Sequence, residues 1–389
     1  MKIRRFCFAF SCVLLFLSCR QTDFERLEAV VKDQVMADAA KYLDVKPVTV
    51  TASIAPRSAG TKHDFYSEGD YWWPNPKYPD SAYIRKDGLS NPDNFVAHRQ
   101  AMIRLSQISG ALASAYLITN DTLYLNKLMP HLRAWFVNEA TKMNPHLLYA
   151  QAIKGRVTGR GIGIIDTIHL IEVALAVQVI ESAKQFPQQD VKTIKSWFSS
   201  CLEWLITHEY GLKERNNGNN HSTCWAMQVA AFARLTGNRK QIEFCSAFYK
   251  KELLPNQMST DGSFPKELSR TKPYGYSLFN LDAMVSLAQL LNSKEDNVFR
   301  YEAPEGQSLT LGLKFLYPYI KDKNSWPYQK DVMYWKDWPT KQPSLLFGAF
   351  QLQNSQYFKT WSKLPPIPNK PEILRNMPVR YPLLWVFSE

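Results

Sequence analysis

Residues 97–118, AHRQAMIRLSQISGALASAYLI, decide the fold. Met102, Leu105, Ile108, Leu112 and Ala115 recur at three- and four-residue spacing, which gathers them on one side of a helix. The stretch stops at Thr119-Asn120-Asp121, a short polar connection, and a second apolar-periodic run follows over 122–137. Two long helices joined by so short a link must lie antiparallel. Comparable helical stretches are expected at 164–186, 190–208, 222–236, 239–254, 277–292, 305–321 and 342–358, with breaks at Phe186-Pro187 and Thr236-Gly237-Asn238. Repeated hairpins that curl about one axis give an all-α fold, an α/α toroid or incomplete barrel of roughly six to seven helical hairpins. A plain helical bundle is the simpler alternative.

No Ser/Gly linker, charge run or sustained period-two alternation divides the chain, so residues 19–389 are expected to form a single catalytic domain. Two irregular regions flank the helices: 44–96, rich in Pro, Asn, Asp, Gly and Tyr, and 359–389, rich in Pro. At the N-terminus, Lys2, Arg4 and Arg5 precede an apolar run from Phe6 to Leu17 that is too short to stay in a bilayer as a spanning helix. It ends in Phe16-Leu17-Ser18-Cys19, similar to a bacterial lipoprotein signal peptide covering 1–18, with Cys19 as the lipidated first residue. The expected location is the periplasm or cell surface of a bacterium, with membrane contact only through the lipid anchor. Cys201, Cys224 and Cys245 lie outside that segment, without metal-binding spacing, and read as buried thiols or one optional disulfide.

The formal charge is +12, and removing Lys2, Arg4 and Arg5 leaves +9 for residues 20–389. An acidic partner follows from that excess. The basic residues are scattered and no nucleic-acid motif is present, so an acidic polysaccharide fits better than nucleic acid. Eleven Trp and nineteen Tyr residues agree, because aromatic faces cover sugar rings.

Three segments carry candidate chemistry. Asn219-Asn220-His221 opens one helix, and Arg270, 49 residues after the histidine, is followed six residues on by Tyr276 at the start of another. Eliminating across C4–C5 of a uronate needs donors that neutralise the carboxylate, a base at C5 and an acid at O4. Asn and His can supply the first, His or Tyr the second and Tyr the third, while Arg can hold the anion and favour phenolate at a nearby Tyr. An aromatic-rich loop near 65–80, with Tyr71-Trp72-Trp73 between Gly69 and Pro74, cannot be a helix interior and is expected to stack on sugar. His98 and Arg99, Arg160 within Gly159-Arg160-Gly161-Ile162-Gly163, Lys266 and Tyr274 are further substrate-binding candidates. No cofactor or metal is implied. Asp166, Glu203, Asp261 and Glu267 offer carboxylates for a rival glycoside hydrolase, and a lipid-anchored glycan-binding protein without catalysis is the second rival.

The Asn219-Asn220-His221 motif, the run Asp261-Gly262-Ser263-Phe264-Pro265-Lys266-Glu267-Leu268-Ser269-Arg270-Thr271 and the run Tyr276-Ser277-Leu278-Phe279-Asn280-Leu281 together resemble the alginate lyase superfamily, most closely polysaccharide lyase family 38. The resemblance spans about residues 65–350. It implies an α/α toroid and a polysaccharide lyase that cleaves alginate or glucuronan by metal-independent β-elimination, leaving 4,5-unsaturated ends. Carried over, Asn220 and His221 match the carboxylate-neutralising and base positions, Arg270 the supporting cation and Tyr276 the catalytic tyrosine. Tyr274 is its near neighbour, and the spacing from Arg270 favours Tyr276.

Overall fold

Local caps set the helix boundaries in the computed structural model, which describes residues 21–386. The expected signal peptide and Cys19 lie outside these residues. Helix α1 (Asp23–Tyr42) starts with a reciprocal capping box between Thr22 and Glu25. Helix α2 (Ala97–Thr119) ends where Asn120 turns left-handed at φ 55°, and Asp121 then caps α3 (Thr122–Phe136) through the Leu123 N–H at 2.9 Å. Next come α4 (Leu170–Ala183), α5 (Gln188–Thr207) and the short α6 (Glu209–Arg215). Helix α7 (Asn220–Thr236) ends at left-handed Gly237, and Asn238 caps α8 (Arg239–Phe248). A π-helical turn at Tyr249–Leu253 carries α8 into α9 (Leu254–Gln257). After α10 (Pro265–Leu268), proline occupies the first turn of α11 (Pro273–Leu291), where its missing N–H costs no helical bond. The chain ends with α12 (Leu309–Lys321), α13 (Pro343–Gln351), α14 (Ser355–Lys363), α15 (Pro371–Arg375) and α16 (Leu383–Val386).

Three boundaries depart from the sequence reading. Helix α4 begins only at Leu170, behind a tight 3-10 turn at Gly161–Thr167. The stretch expected as one helix at 342–358 is two, because Gln353 is left-handed at φ 55° and Asn354 caps a new start at Gln356. Helix α1 was not expected at all. It buries only Leu27, Val35 and Ala39 of its 20 residues, so its apolar period is faint.

Helices α2, α4, α7, α11 and α13 are buried on nearly every side and contact one another in that order, forming the inner wall. Helices α1, α3, α5, α8, α12 and α14 bury one face against them, as outer partners must. This is an all-α toroid. The C-terminal segment returns to its open seam, where Arg380 donates to Ser106 of α2 at 2.7 Å and Glu172 of α4 accepts from the Arg380 and Tyr381 N–H groups at 2.7 Å.

Strand pairs are few and short among the described residues. Strand β1 (Tyr66–Glu68) pairs in parallel with β4 (Tyr149–Ala152), and β2 (Trp72–Trp73) pairs antiparallel with β3 (Ile84–Arg85). These hold residues 66–94 across the mouth of the toroid, helped by Asn91 and Asn94 side-chain amides donating to the Trp72 and Gly69 carbonyls at 2.9 Å. The glycine run before α4 serves packing. A Cβ on Gly163 would sit 2.4 Å from the Ala150 Cβ, so glycine lets the turn lie against β4.

Candidate active site

A cavity of about 310 Å³ opens at the starts of α7 and α11, bordered by residues 70–72. Tyr276, His221, Asn220 and Arg270 all line it, together with Tyr71, Trp72 and Arg160. Four arginines, Arg85, Arg160, Arg270 and Arg375, line it with two carboxylates, Asp70 and Asp166. The starts of α7 and α11 add their partial positive charge, so the cavity suits a carboxylate.

At the start of α7, Gly218 takes φ +74° and turns the chain so that Asn219 caps the helix through the His221 N–H at 3.0 Å. The next two side chains are each held by a buried carboxylate. Asn220 gives its backbone N–H to Glu267 at 3.0 Å and its amide nitrogen to both Glu267 oxygens at 2.9 Å. Burial pushes the Glu267 carboxyl above its ordinary range, and the Asn220 hydrogen bonds and Arg270 oppose that push. His221 Nδ1 lies 2.6 Å from Glu214 Oε1, a fully buried carboxylate. A carboxylate oxygen accepts, so Nδ1 donates to Glu214 and Nε2 is the ring nitrogen left for substrate.

At the start of α11, the Tyr276 hydroxyl oxygen lies 2.6 Å from that of Tyr71 and 3.5 Å from Arg270 Nη2, and the Arg270 guanidinium stands 4.6 Å from the Tyr276 ring centre. Arg270 is itself fixed by Asp87 at 3.0 Å. Lys272, paired with Glu372, sits 5.2 Å from the Tyr276 ring and 5.0 Å from that of Tyr71. Burial raises the Tyr276 pKa well above its usual value and the nearby Tyr71 adds to this, outweighing the lowering by Lys272 and Arg270. The cations therefore moderate the rise without reversing it, against the simple expectation that arginine alone would favour a phenolate.

Several sequence candidates lie elsewhere. His98 is 3% exposed, accepts the Tyr66 N–H at 3.0 Å through Nδ1 and faces the Ser53 carbonyl through Nε2 at 2.9 Å, so both ring nitrogens hold the fold. Arg99 is buried between Asp70 at 2.7 Å and Asp166 at 3.4 Å and does not line the cavity. Tyr274 is fully buried, donates to the Tyr319 carbonyl at 3.0 Å and packs on Trp326 at 5.0 Å, so it is a core residue and no substitute for Tyr276. Lys266 is exposed and donates to the Gly218 carbonyl at 2.8 Å. Trp73 donates to the Leu89 carbonyl at 2.9 Å, with Lys86 4.8 Å from its ring centre, outside the cavity lining. Tyr71, expected to stack on sugar, turns its hydroxyl to Tyr276 instead.

The carboxylates of the hydrolase alternative do not assemble. Glu203 and Asp261 are exposed and away from the cavity, while Asp166 is engaged by Ser67, Gln151 and Arg99. Cys201, Cys224 and Cys245 are free and buried, and burial raises each thiol pKa, which makes them inert. Sequence reasoning missed Asp70, Glu214 and Arg375, and weighed Glu267 only as a carboxylate of the hydrolase rival. Glu267 sits inside the quoted 261–271 run, which could have signalled it. Arg375 comes from the Pro-rich tail, where no local pattern marks it.

The sequence pattern of the alginate lyase family matches residues 49–326. A solved alginate lyase from Bacteroides ovatus shares 31% identity and superposes with a TM-score of 0.79, covering 94% of this chain and 97% of that one. Alginate lyase A1-III from Sphingomonas species A1 superposes with a TM-score of 0.54 at 12% identity, over 91% of this chain and 95% of that one. The same enzyme complexed with a tetrasaccharide gives 0.57 at 12% identity, over 91% and 94%. At that identity the likeness is one of fold. No curated protein sequence matches the chain.

Proposed function

The chain belongs to the alginate lyase family, and we propose that its β-elimination is carried by Tyr276, His221, Asn220 and Arg270. It is a polysaccharide lyase acting on alginate. The observation that carries the residue assignment is Tyr276, whose ring stands under the Arg270 guanidinium with its hydroxyl 3.5 Å from Nη2, in the same cavity as Asn220 and His221.

In this reading the carboxylate of the sugar losing its C5 proton lies against Arg270, whose positive charge takes up the charge that spreads from C5 onto the carboxylate oxygens, beside Asn220 and His221 at the start of α7. The C5–H bond breaks, its electron pair forms the C4–C5 double bond, and the C4–O4 bond breaks as O4 receives a proton. Mannuronate presents H5 and O4 on one face, so Tyr276, as phenolate, takes H5 and returns the same proton to O4. Guluronate presents H5 on the opposite face, so His221 takes it through Nε2 while Tyr276, as phenol, protonates O4. Both routes leave a 4,5-unsaturated uronate. The raised Tyr276 pKa suits the acid role directly, and the phenolate role calls on the nearby cations.

No metal enters this scheme, and the enzyme is expected to keep its activity after EDTA treatment. The direct test follows the ultraviolet absorbance of the unsaturated product: Tyr276→Phe is expected to lose about 10²-fold or more in kcat on every alginate block. Wild-type turnover in that variant would remove Tyr276 from the mechanism. The export reading belongs to the same proposal, supported by the basic start, the apolar run and Cys19. Activity expressed in a bacterium is expected in the membrane fraction and released by Cys19→Ala; activity soluble in both would end the lipid-anchor reading.

A further inference from the structure

A second hollow adjoins the active-site cavity and takes no part in the chemistry above. It is a groove of about 680 Å³ lined by Arg57, Tyr66, Tyr210 and residues 152–159, within the size range of small-ligand sites. Trp72 stands between the two. It lines the cavity, and its ring centre lies 6.0 Å from the guanidinium of Arg160 in the cavity lining and 5.1 Å from that of Arg156 in the groove lining. The two hollows differ in charge. Asp70 and Asp166 line the cavity, whereas among the described residues no carboxylate lines the groove.

Backbone geometry sets the groove's cations. Ile153 and Val157 bridge across a tight turn, the Ile153 N–H donating to the Val157 carbonyl at 2.9 Å, and Gly155 makes the corner at φ +75°. A Cβ on Gly155 would stand 2.8 Å from the Ala82 Cα, so glycine lets the turn lie against residues 82–83. The Tyr83 N–H donates to the Lys154 carbonyl at 3.1 Å, and Arg156 Nε donates to the Tyr83 carbonyl at 2.8 Å. Lys154 and Arg156 are both exposed, and among the described residues neither is paired with a carboxylate. Arg57, the third cation, is balanced by Glu68, which takes both Nε and Nη2 at 2.5 Å. Two unbalanced cations thus stand on a fixed turn, one ring away from the cavity.

We propose that this groove is a distal binding site for the polyuronate chain, in which Lys154 and Arg156 hold carboxylates of sugars beyond those in the cavity and the Tyr210 ring offers an apolar face. The proposal rests on the cavity being the place of cleavage. Charge and continuity identify the occupant. A polyuronate carries a carboxylate on every ring, and a chain leaving the cavity past Trp72 meets Arg156 next, in a groove with no carboxylate to repel it. Polymer that spans both hollows gains affinity that an oligomer confined to the cavity lacks.

The double variant Lys154→Glu/Arg156→Glu reverses both charges. Its kcat/KM on polymeric alginate is expected to fall about tenfold, and its loss on an alginate trisaccharide to be at least about fivefold smaller. Added NaCl is expected to slow wild type on polymer more steeply than the variant, because the lost contacts are exposed and screened. Equal losses on polymer and trisaccharide, an unchanged polymer rate, or the same salt dependence in both enzymes overturns the proposal. Arg156 also ties Tyr83, so Lys154→Glu is measured alone as well. The Lys154 ammonium makes no hydrogen bond among the described residues, and its reversal is expected to lower the polymer-to-trisaccharide ratio of kcat/KM about threefold without touching the fold. A wild-type ratio in that variant overturns the proposal too. Failure of the underlying reading looks different: Tyr276→Phe would then keep wild-type rates on both substrates.

Discussion

The starts of α7 and α11 and the loop at residues 66–76 border the same cavity but contribute in different ways. On the helices, each reacting side chain is held by a partner buried beneath it: Glu214 under His221, Glu267 under Asn220. On the loop, Tyr71 and Trp72 line the cavity while Trp73 does not. Tyr71 reaches Tyr276, Trp73 is capped by Lys86, and Trp72 lies near the guanidinium groups of Arg156 and Arg160 at 5.1 and 6.0 Å. The helix starts carry groups that meet substrate, and the loop orients groups that do. If that division is right, changes at the helix starts lower kcat and change which bond is cut, and changes in the loop act through KM or through a neighbour.

His221→Ala tests the division most severely. Guluronate blocks lose their C5 base in this variant, and kcat on them is expected to fall about 10²- to 10⁴-fold. Mannuronate blocks keep Tyr276 as base, so their loss is expected to be at least about tenfold smaller. Initial rates on the two block polymers give the ratio directly. Equal losses on both would assign His221 to carboxylate binding alone and take away its change of role between epimers.

Glu267→Ala comes next. It leaves the Asn220 N–H and amide without their acceptor at a site that is 1% exposed, at a cost of about 2–4 kcal/mol in folding stability. Activity of the folded fraction is expected to drop about 10²-fold, the size seen when one preorganised donor is lost. Thermal melts and kcat measured together separate the two effects. A variant as stable as wild type, or fully active, would mean that Asn220 keeps its place without Glu267.

Legibility in the sequence follows the same division. Helix periodicity reported the toroid because an inner-wall helix such as α2 is apolar over many turns, and the Asn-Asn-His and Arg-to-Tyr spacings reported the α7 and α11 starts because each motif is continuous in the chain. Helix α1 escaped notice because three buried residues in 20 make a faint stripe. His98 and Arg99 looked functional because polar residues at a helix start resemble an open rim, yet residues 66–70 fold over them and convert both to buried ties. Arg375 could not be read from its neighbours, since its meaning comes from Asp70 and Tyr71, about 300 positions earlier, and from a tail that returns to the seam of the toroid.

The two adjacent tryptophans give the finest test of the loop. Trp72 lines the cavity, and its ring lies near Arg160, which is fixed to Gln151 by hydrogen bonds of 3.0 Å to the carbonyl and to the side-chain oxygen. Trp72→Ala removes that ring from the lining and opens the mouth of the cavity, leaving Arg160 held by Gln151. KM for polymer is expected to rise about tenfold with kcat nearly unchanged, the signature of lost uniform binding. Trp73 faces Lys86 and Leu89 outside the lining, so Trp73→Ala is expected to keep both constants within about twofold, as substitutions away from a site usually do. The order matters more than the sizes: if Trp73→Ala harms binding more than Trp72→Ala, the polymer runs over the outer face of β2, and the loop is a stacking surface after all.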